Sequence, residues 1–286
     1  MNRAFHLLLA GAVLAGAGGC QPAKGPSHSK RQPLRPEARE YRPEIHYTQL
    51  QTVLAAALDE KGRLHQSDLR RVAGPLDAQL GMLSVAGPGL TPELLPTVNH
   101  RLAYWLNARA AWAIKLTAEA GFPERLGPQD FERRTFILDG REMTLAGIDL
   151  QLAGDFDLDG PFDWRAAVLA PGLRPWRAKL PAEPYQPETV ATAIDERFNA
   201  YIRDPQRVVF DAATRQMHVP PMLWAYRKPL INRYRQRYQP GGQVQFITAL
   251  LPVTSGRARR HLQLYVGYQA VKRTTTDKLL GVAAAD

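Results

Sequence analysis

Between Val98 and Ala120 the chain runs for more than six helical turns with almost no polar face. Ala103, Tyr104, Trp105, Leu106, Ala108, Ala110, Ala111, Trp112, Ala113, Ile114 and Leu116 crowd every side of the helix. A helix that is apolar all round is a buried one, so the remaining elements must pack around it. Asn107 shares a side with Ala103, Ala111 and Ile114, and Arg109 falls in line with Trp105 and Trp112. Both polar residues are expected inside, where each needs a partner.

Around this helix the apolar spacing predicts others. Leu50, Val53, Leu54, Ala57 and Leu58 form one face of an amphipathic helix ending near Gly62. A second helix starts at Pro75, with Leu76, Leu80 and Leu83 on its face. Thr91-Pro92-Glu93 starts another that Pro96 kinks or restarts. Pro187 opens a helix carrying Val190, Ile194, Phe198, Tyr201 and Ile202, with Pro205 after it. Strand signals are scattered: a hairpin over Thr135–Leu138 and Arg141–Leu145 around Asp139-Gly140, a central strand over Asp163–Leu169, a hairpin pairing Val208–Phe210 with Met217–Val219, and a strand over His261–Val271. With 286 residues, 45% hydrophobic and 22% charged, there is material for one sizeable core. The expected fold is α+β: a single mixed domain, residues 44–286, with a buried central helix and a small sheet.

The first 43 residues are of another kind. Arg3, an apolar stretch from Ala4 to Ala17 and small residues before Cys20 have the layout of a secretory signal occupying residues 1–19. Leu14-Ala15-Gly16-Ala17-Gly18-Gly19-Cys20 resembles the bacterial lipobox, whose cysteine is acylated. Cys20 is the only cysteine in the chain and can form no internal disulfide. Residues 20–43 then read as a lipidated N-terminus and disordered tether, rich in proline and basic residues. These readings imply attachment to membrane lipid through Cys20, in a cell envelope, facing the periplasm or cell surface. Gln21 rather than Asp after the cysteine favours the outer membrane. No later apolar run approaches the roughly 18–20 residues of a bilayer span.

The net charge of +10 lies partly in the tether and partly near the C-terminus, in Arg227, Lys228, Arg233, Arg235, Arg237, Arg257, Arg259 and Arg260. For an exported chain the expected counterpart is an anionic envelope lipid or polysaccharide, or a protein partner, rather than nucleic acid.

Four segments in order resemble the family named "domain of unknown function 547": Arg101-Leu102-Ala103-Tyr104-Trp105-Leu106-Asn107, Met143-Thr144-Leu145-Ala146-Gly147-Ile148, Pro184-Tyr185 leading to Arg203-Asp204-Pro205, and Leu223-Trp224-Ala225-Tyr226. The resemblance spans nearly the whole domain and implies a fold. It implies no secure activity, because Arg165 and Ala170-Pro171-Gly172 stand where that family typically has a His and a Cys-containing loop. Only Asn107 carries over, as a helix-pinning residue.

Chemistry-bearing motifs are sparse. Asp155-Phe156-Asp157-Leu158-Asp159-Gly160, with Asp163 beyond, has the alternating carboxylates that open a calcium loop, but Ala166 occupies the position of the closing Glu. Calcium is therefore a possible ligand of Asp155, Asp157, Asp159 and Asp163, and no cofactor is otherwise implied. There is no nucleophile elbow, phosphate loop or His-based metal spacing. The expectation is a non-enzymatic binding or accessory lipoprotein. The alternative is a degenerate or divergent envelope hydrolase or transferase with a pocket at Asn107, Arg109 and Arg165, which requires those three side chains to meet in a cleft.

Overall fold

The computed structural model describes residues 44–274, except Pro128 and Pro175. The segment expected to be a signal, Cys20 and the expected tether lie outside the described residues. The first helices are α1 (Thr48–Ala57), α2 (Gln66–Arg71) and α3 (Ala73–Val85). α1 buries Leu50, Val53, Leu54 and Ala57, the face that its spacing predicts. It stops five residues short of Gly62, because the Asp59 carboxylate accepts the backbone N–H of Lys61 and Arg63 at 2.9 and 2.8 Å and sets up a turn instead. α3 begins at Ala73 with Pro75 in its first turn.

α4 (Val98–Glu119) is the axis of the fold. Every residue from Leu102 to Ala111 is buried. Pro92–Leu94 forms only a short 3-10 turn; the helix restarts after Pro96, with the Thr97 hydroxyl accepting the His100 N–H. α3, α5 (Leu145–Ala153) and α7 (Val190–Arg203) all pack against α4, and one continuous hydrophobic core reaches from Tyr47 to Leu262.

A two-stranded hairpin, β1 (Phe136–Leu138) and β2 (Arg141–Met143), turns at Asp139-Gly140, both with positive φ as a type I′ turn requires. The turn is also tied to the loop after α3: the Asp139 carboxylate accepts the N–H groups of Gly89 and Leu90 at 2.8–3.0 Å. β2 ends at Met143 rather than running to Leu145. There Thr144 caps α5, its hydroxyl accepting the Gly147 N–H at 2.9 Å.

Asp163–Leu169 is not a central strand. It holds the short helix α6 (Arg165–Val168), started by the Asp163 carboxylate and carbonyl, which accept the N–H groups of Arg165 and Ala166. Alternation over Trp164, Ala166 and Val168 suggested a strand, yet Ala166 and Ala167 are good helix formers and the local cap decides. The helix expected from Pro187 begins at Val190, after a turn over Gln186–Thr189.

The hairpin between β3 (Val209–Asp211) and β4 (Gln216–Val219) is as predicted. Three helices follow: α8 (Pro221–Ala225), α9 (Arg227–Tyr238) and α10 (Phe246–Leu250). His261–Val271 is mostly not a strand. α11 (Gly256–Gln263) occupies its first part, burying Ala258 and Leu262, and only β5 (Gln269–Lys272) is extended. β5 adds to β4 in parallel, giving a three-stranded sheet in the order β3-β4-β5. The architecture is α+β, with helices dominating and two small sheets. Among the described residues no helix is long and apolar enough to cross a membrane.

Candidate functional site

The three side chains that an enzyme pocket would need are each engaged separately. Asn107 is fully buried and bonds to the backbone of Tyr185 in both directions: its Nδ2 donates to the carbonyl and its Oδ1 accepts the N–H, each at 2.8 Å. It thereby pins α4 to the loop that leads into α7. Arg109, two residues on and therefore on the other side of the helix, enters a buried ion network. Its Nε donates to Asp149 at 3.0 Å and its Nη2 to Glu132 at 3.2 Å. Arg177 donates to the other Asp149 oxygen and stands 3.7 Å from Glu132. The Arg174 Nε lies 3.6 Å from Glu132. Arg165 lies elsewhere, forked onto Asp163 and reaching Asp195 at 2.6 Å.

The acidic loop follows the same pattern. Asp157 accepts the Asp159 N–H at 3.0 Å, Asp159 pairs with Arg233, and Asp163 is taken by Arg165. Asp155 and the following Phe156 have positive φ, and Phe156 turns inward to meet Tyr226 edge-on at 5.5 Å. Among the described residues no three His, Cys, Asp or Glu side chains gather as they would around a metal ion.

The geometry concentrates instead on a groove that the sequence reading did not single out. It lies between the turn after α1, the 169–182 segment and the end of α7, with a volume of about 550 Å³. A neighbouring recess of about 340 Å³ shares Lys61, Gly62, Lys179, Leu180 and Arg207 with it. The floor is apolar, made by Leu169, Ala178, Leu180, Ala200 and the ring of Tyr201. The rim carries five cations, Lys61, Lys179, Arg197, Arg203 and Arg207, against two carboxylates, Glu60 and Asp204.

Each wall has a local cause. Gly62 (φ 71°) completes the Asp59 turn that presents Lys61. The Gly172 N–H donates to the Ala178 carbonyl at 3.0 Å, closing the 172–178 loop so that Lys179 and Leu180 face α7. Pro205 ends α7, and the Asp204 carbonyl and carboxylate accept the N–H groups of Arg207, Val208 and Gln206, folding the chain back over itself. That fold-back puts the Arg207 side chain into the wall.

Arg207 is the most unusual group in the groove. It is only 4% exposed, its Nε has no partner among the described residues, and its nearest carboxylate, Asp204, stands 3.9 Å away. Burial, outweighing the attraction of Asp204, pulls its proton affinity below that of an ordinary arginine. Its Nη1 donates to the Gln206 side-chain carbonyl at 3.2 Å and makes the long contact with Asp204. Arg197 is similar: its Nη2 donates to the Lys179 carbonyl at 2.6 Å while its buried Nε has no described partner. Such half-answered guanidiniums beside a cavity favour an arriving anion.

No protein-family model matches the chain significantly, and neither does any curated protein or solved structure.

Proposed function

We propose that this chain is an exported lipoprotein, held to an envelope membrane by acyl groups on Cys20, whose domain binds an organic anion in the basic groove without transforming it. Gln21 after the cysteine favours the outer membrane as its address. The observation that carries the binding reading is Arg207, buried in the groove wall with an unanswered Nε and only a long ion pair, 3.9 Å, to Asp204. Phosphate and carboxylate oxygens are the groups that satisfy a guanidinium fork. The apolar floor asks for an apolar body behind that head group. The lining offers an excess of cations over carboxylates, which suits holding an anion.

The rival reading, an enzyme at Asn107, Arg109 and Arg165, needs those residues in one cleft, and each is spent on its own partner. The four segments that resemble the domain of unknown function 547 family suit a divergent relative and carry no activity to this chain.

Calorimetric titration with octyl phosphate, octyl glucoside and inorganic phosphate tests the groove. Octyl phosphate binds; the neutral glycoside and the bare anion bind at least ten-fold more weakly; and Arg207→Met removes the preference. Equal binding of octyl phosphate and octyl glucoside, or an Arg207→Met protein that binds as before, overturns the reading. The anchor is tested separately: the intact mass of the native protein shows acyl groups on Cys20, Cys20→Ala abolishes them, and a native protein with an unmodified Cys20 thiol refutes the anchor.

A further inference from the structure

α11 and the turn after it carry a surface that the groove does not use. Helical backbone continues into Leu264 (φ −66°, ψ −22°). Ala258, Leu262 and Tyr265 therefore share the inward stripe, while Arg257, Arg260 and Leu264 share the outward one. Ala258 and Leu262 are buried. Tyr265 stacks on Phe210 at 4.0 Å and meets His261 and Tyr268 edge-on at 5.2 Å. This aromatic block is a firm footing for the turn above it.

On that footing stand two uncovered aliphatic side chains, Leu264 at 76% exposure and Val266 at 50%. Leu264 is the most exposed large hydrophobic residue among those described. The collar around them is cationic. Arg257 and Arg260 are exposed on the outward stripe, and Lys272 is exposed on β5. Arg215 reaches in from the β3–β4 turn, its guanidinium 5.9 Å from the Tyr268 ring and its Nη2 beside Gly267. Residues 256–274 contain Arg257, Arg259, Arg260, Lys272 and Arg273 and no Asp or Glu. One carboxylate, Asp211 on β3, stands in the same turn as Arg215 and keeps its charge, accepting the hydroxyl of Thr214 at 2.7 Å.

Aliphatic tips, tyrosines at the shoulder and arginines around the base follow the depth profile of a bilayer interface: acyl chains, head-group level, phosphates. A collar with cations in such excess fits a continuous anionic sheet better than the mixed charges of a protein surface. We propose that the 264–268 turn inserts into an anionic lipid surface, with Arg257, Arg260 and Arg215 meeting lipid phosphates, so that the domain lies against the membrane through this face. The contact is independent of any lipid on Cys20.

The test uses the full chain carrying Cys20→Ala, co-sedimented with vesicles of phosphatidylcholine alone or mixed with phosphatidylglycerol at 0.1 M salt. Preferential binding to the anionic vesicles is expected. Leu264→Glu should lower the partition coefficient at least ten-fold, and Arg257→Gln and Arg260→Gln each about five-fold. All proteins compared share one N-terminus, so its contribution cancels. Arg133→Gln, which removes an exposed cation before β1 instead, should leave binding unchanged. All four substituted side chains are exposed, and unaltered melting temperatures confirm that each variant is folded. Equal binding to both vesicle types, or a Leu264→Glu protein that binds as well as its parent, overturns the proposal. So does light scattering that shows a dimer abolished by Leu264→Glu, which would assign the face to a second copy of the chain.

Discussion

Replacing Asp149 by Leu should unfold the domain well before anything else fails. The side chains of Asp149, Arg109 and Arg177 are 6%, 0% and 5% exposed, so none of the three can turn to water. Asp149 accepts from both guanidiniums, and Glu132, 12% exposed, is the other carboxylate near them. Leucine keeps the volume and deletes the charge, which leaves Arg109 and Arg177 to share Glu132 with Arg174. Breaking a buried pair from one side costs about 3–5 kcal/mol, mostly the desolvation of the abandoned charge. A domain of roughly 230 residues unfolds with an entropy of about 0.5 kcal/mol per degree, so the melting temperature should fall by about 6–10 °C. Against a typical total stability of about 5–15 kcal/mol, that is a large share.

Thermal unfolding followed by circular dichroism at 222 nm measures it. The double variant Asp149→Leu with Arg109→Met should recover part of the loss, because Arg177 keeps Glu132 while Arg109's charge is gone. A fall of under 2 °C in the single variant would show that Arg109 and Arg177 are reached by solvent. The assignment of Arg109 to the interior framework would then fail, and the enzyme reading would regain its pocket.

Two smaller perturbations test neighbouring claims. Asn107→Ala leaves the buried N–H and carbonyl of Tyr185 without partners; at about 1–3 kcal/mol per group the melting temperature should drop roughly 4–12 °C, while octyl phosphate binding to the folded protein at low temperature stays intact. His261 has its pKa lowered by burial and by the charge of Arg203. Its neutral form is therefore favoured in the folded state, the unfolded chain takes up the proton first, and stability falls as pH drops through 6.5 and below. His261→Gln should flatten the difference in urea stability between pH 7.5 and 5.5, and identical pH profiles for parent and variant would contradict the assigned environment.

The legible parts of the fold are those with a local cause strong enough to survive any context. α4 is written in composition, the β1–β2 turn in Asp139-Gly140, and α7 in an apolar stripe of regular spacing. α6 and α11 were misread for a shared reason: short runs of alternating apolar residues suit both periods, and caps or tertiary neighbours decide between them. In α11 the alternation Leu262, Leu264, Val266 mimics a strand, yet only Leu262 is buried, because the helical stripe through Ala258, Leu262 and Tyr265 wins. α5 was hidden behind a hairpin, although Thr144 followed by Gly147 is a usable cap. The groove was illegible for a different reason. Lys61, Lys179, Arg197 and Arg207 come from segments far apart in the chain, and no spacing rule joins them. Asn107 and Arg109 showed the opposite case: their burial was readable from the helix face, but their partners, Tyr185 and Asp149, were not.

The parallel pairing of β5 with β4 ties Gln216 to Gln269, more than fifty residues downstream. The β3–β4 ribbon can zip up as soon as it exists, but its third member must wait for everything from α8 to α11 to be made and settled. A polypeptide stopped before Gln269 would present the row of peptide groups on β4 to whatever strand it met first. Completion of the chain is therefore also the step that closes a sticky edge, and shortened translation products of this protein should be the ones that clump.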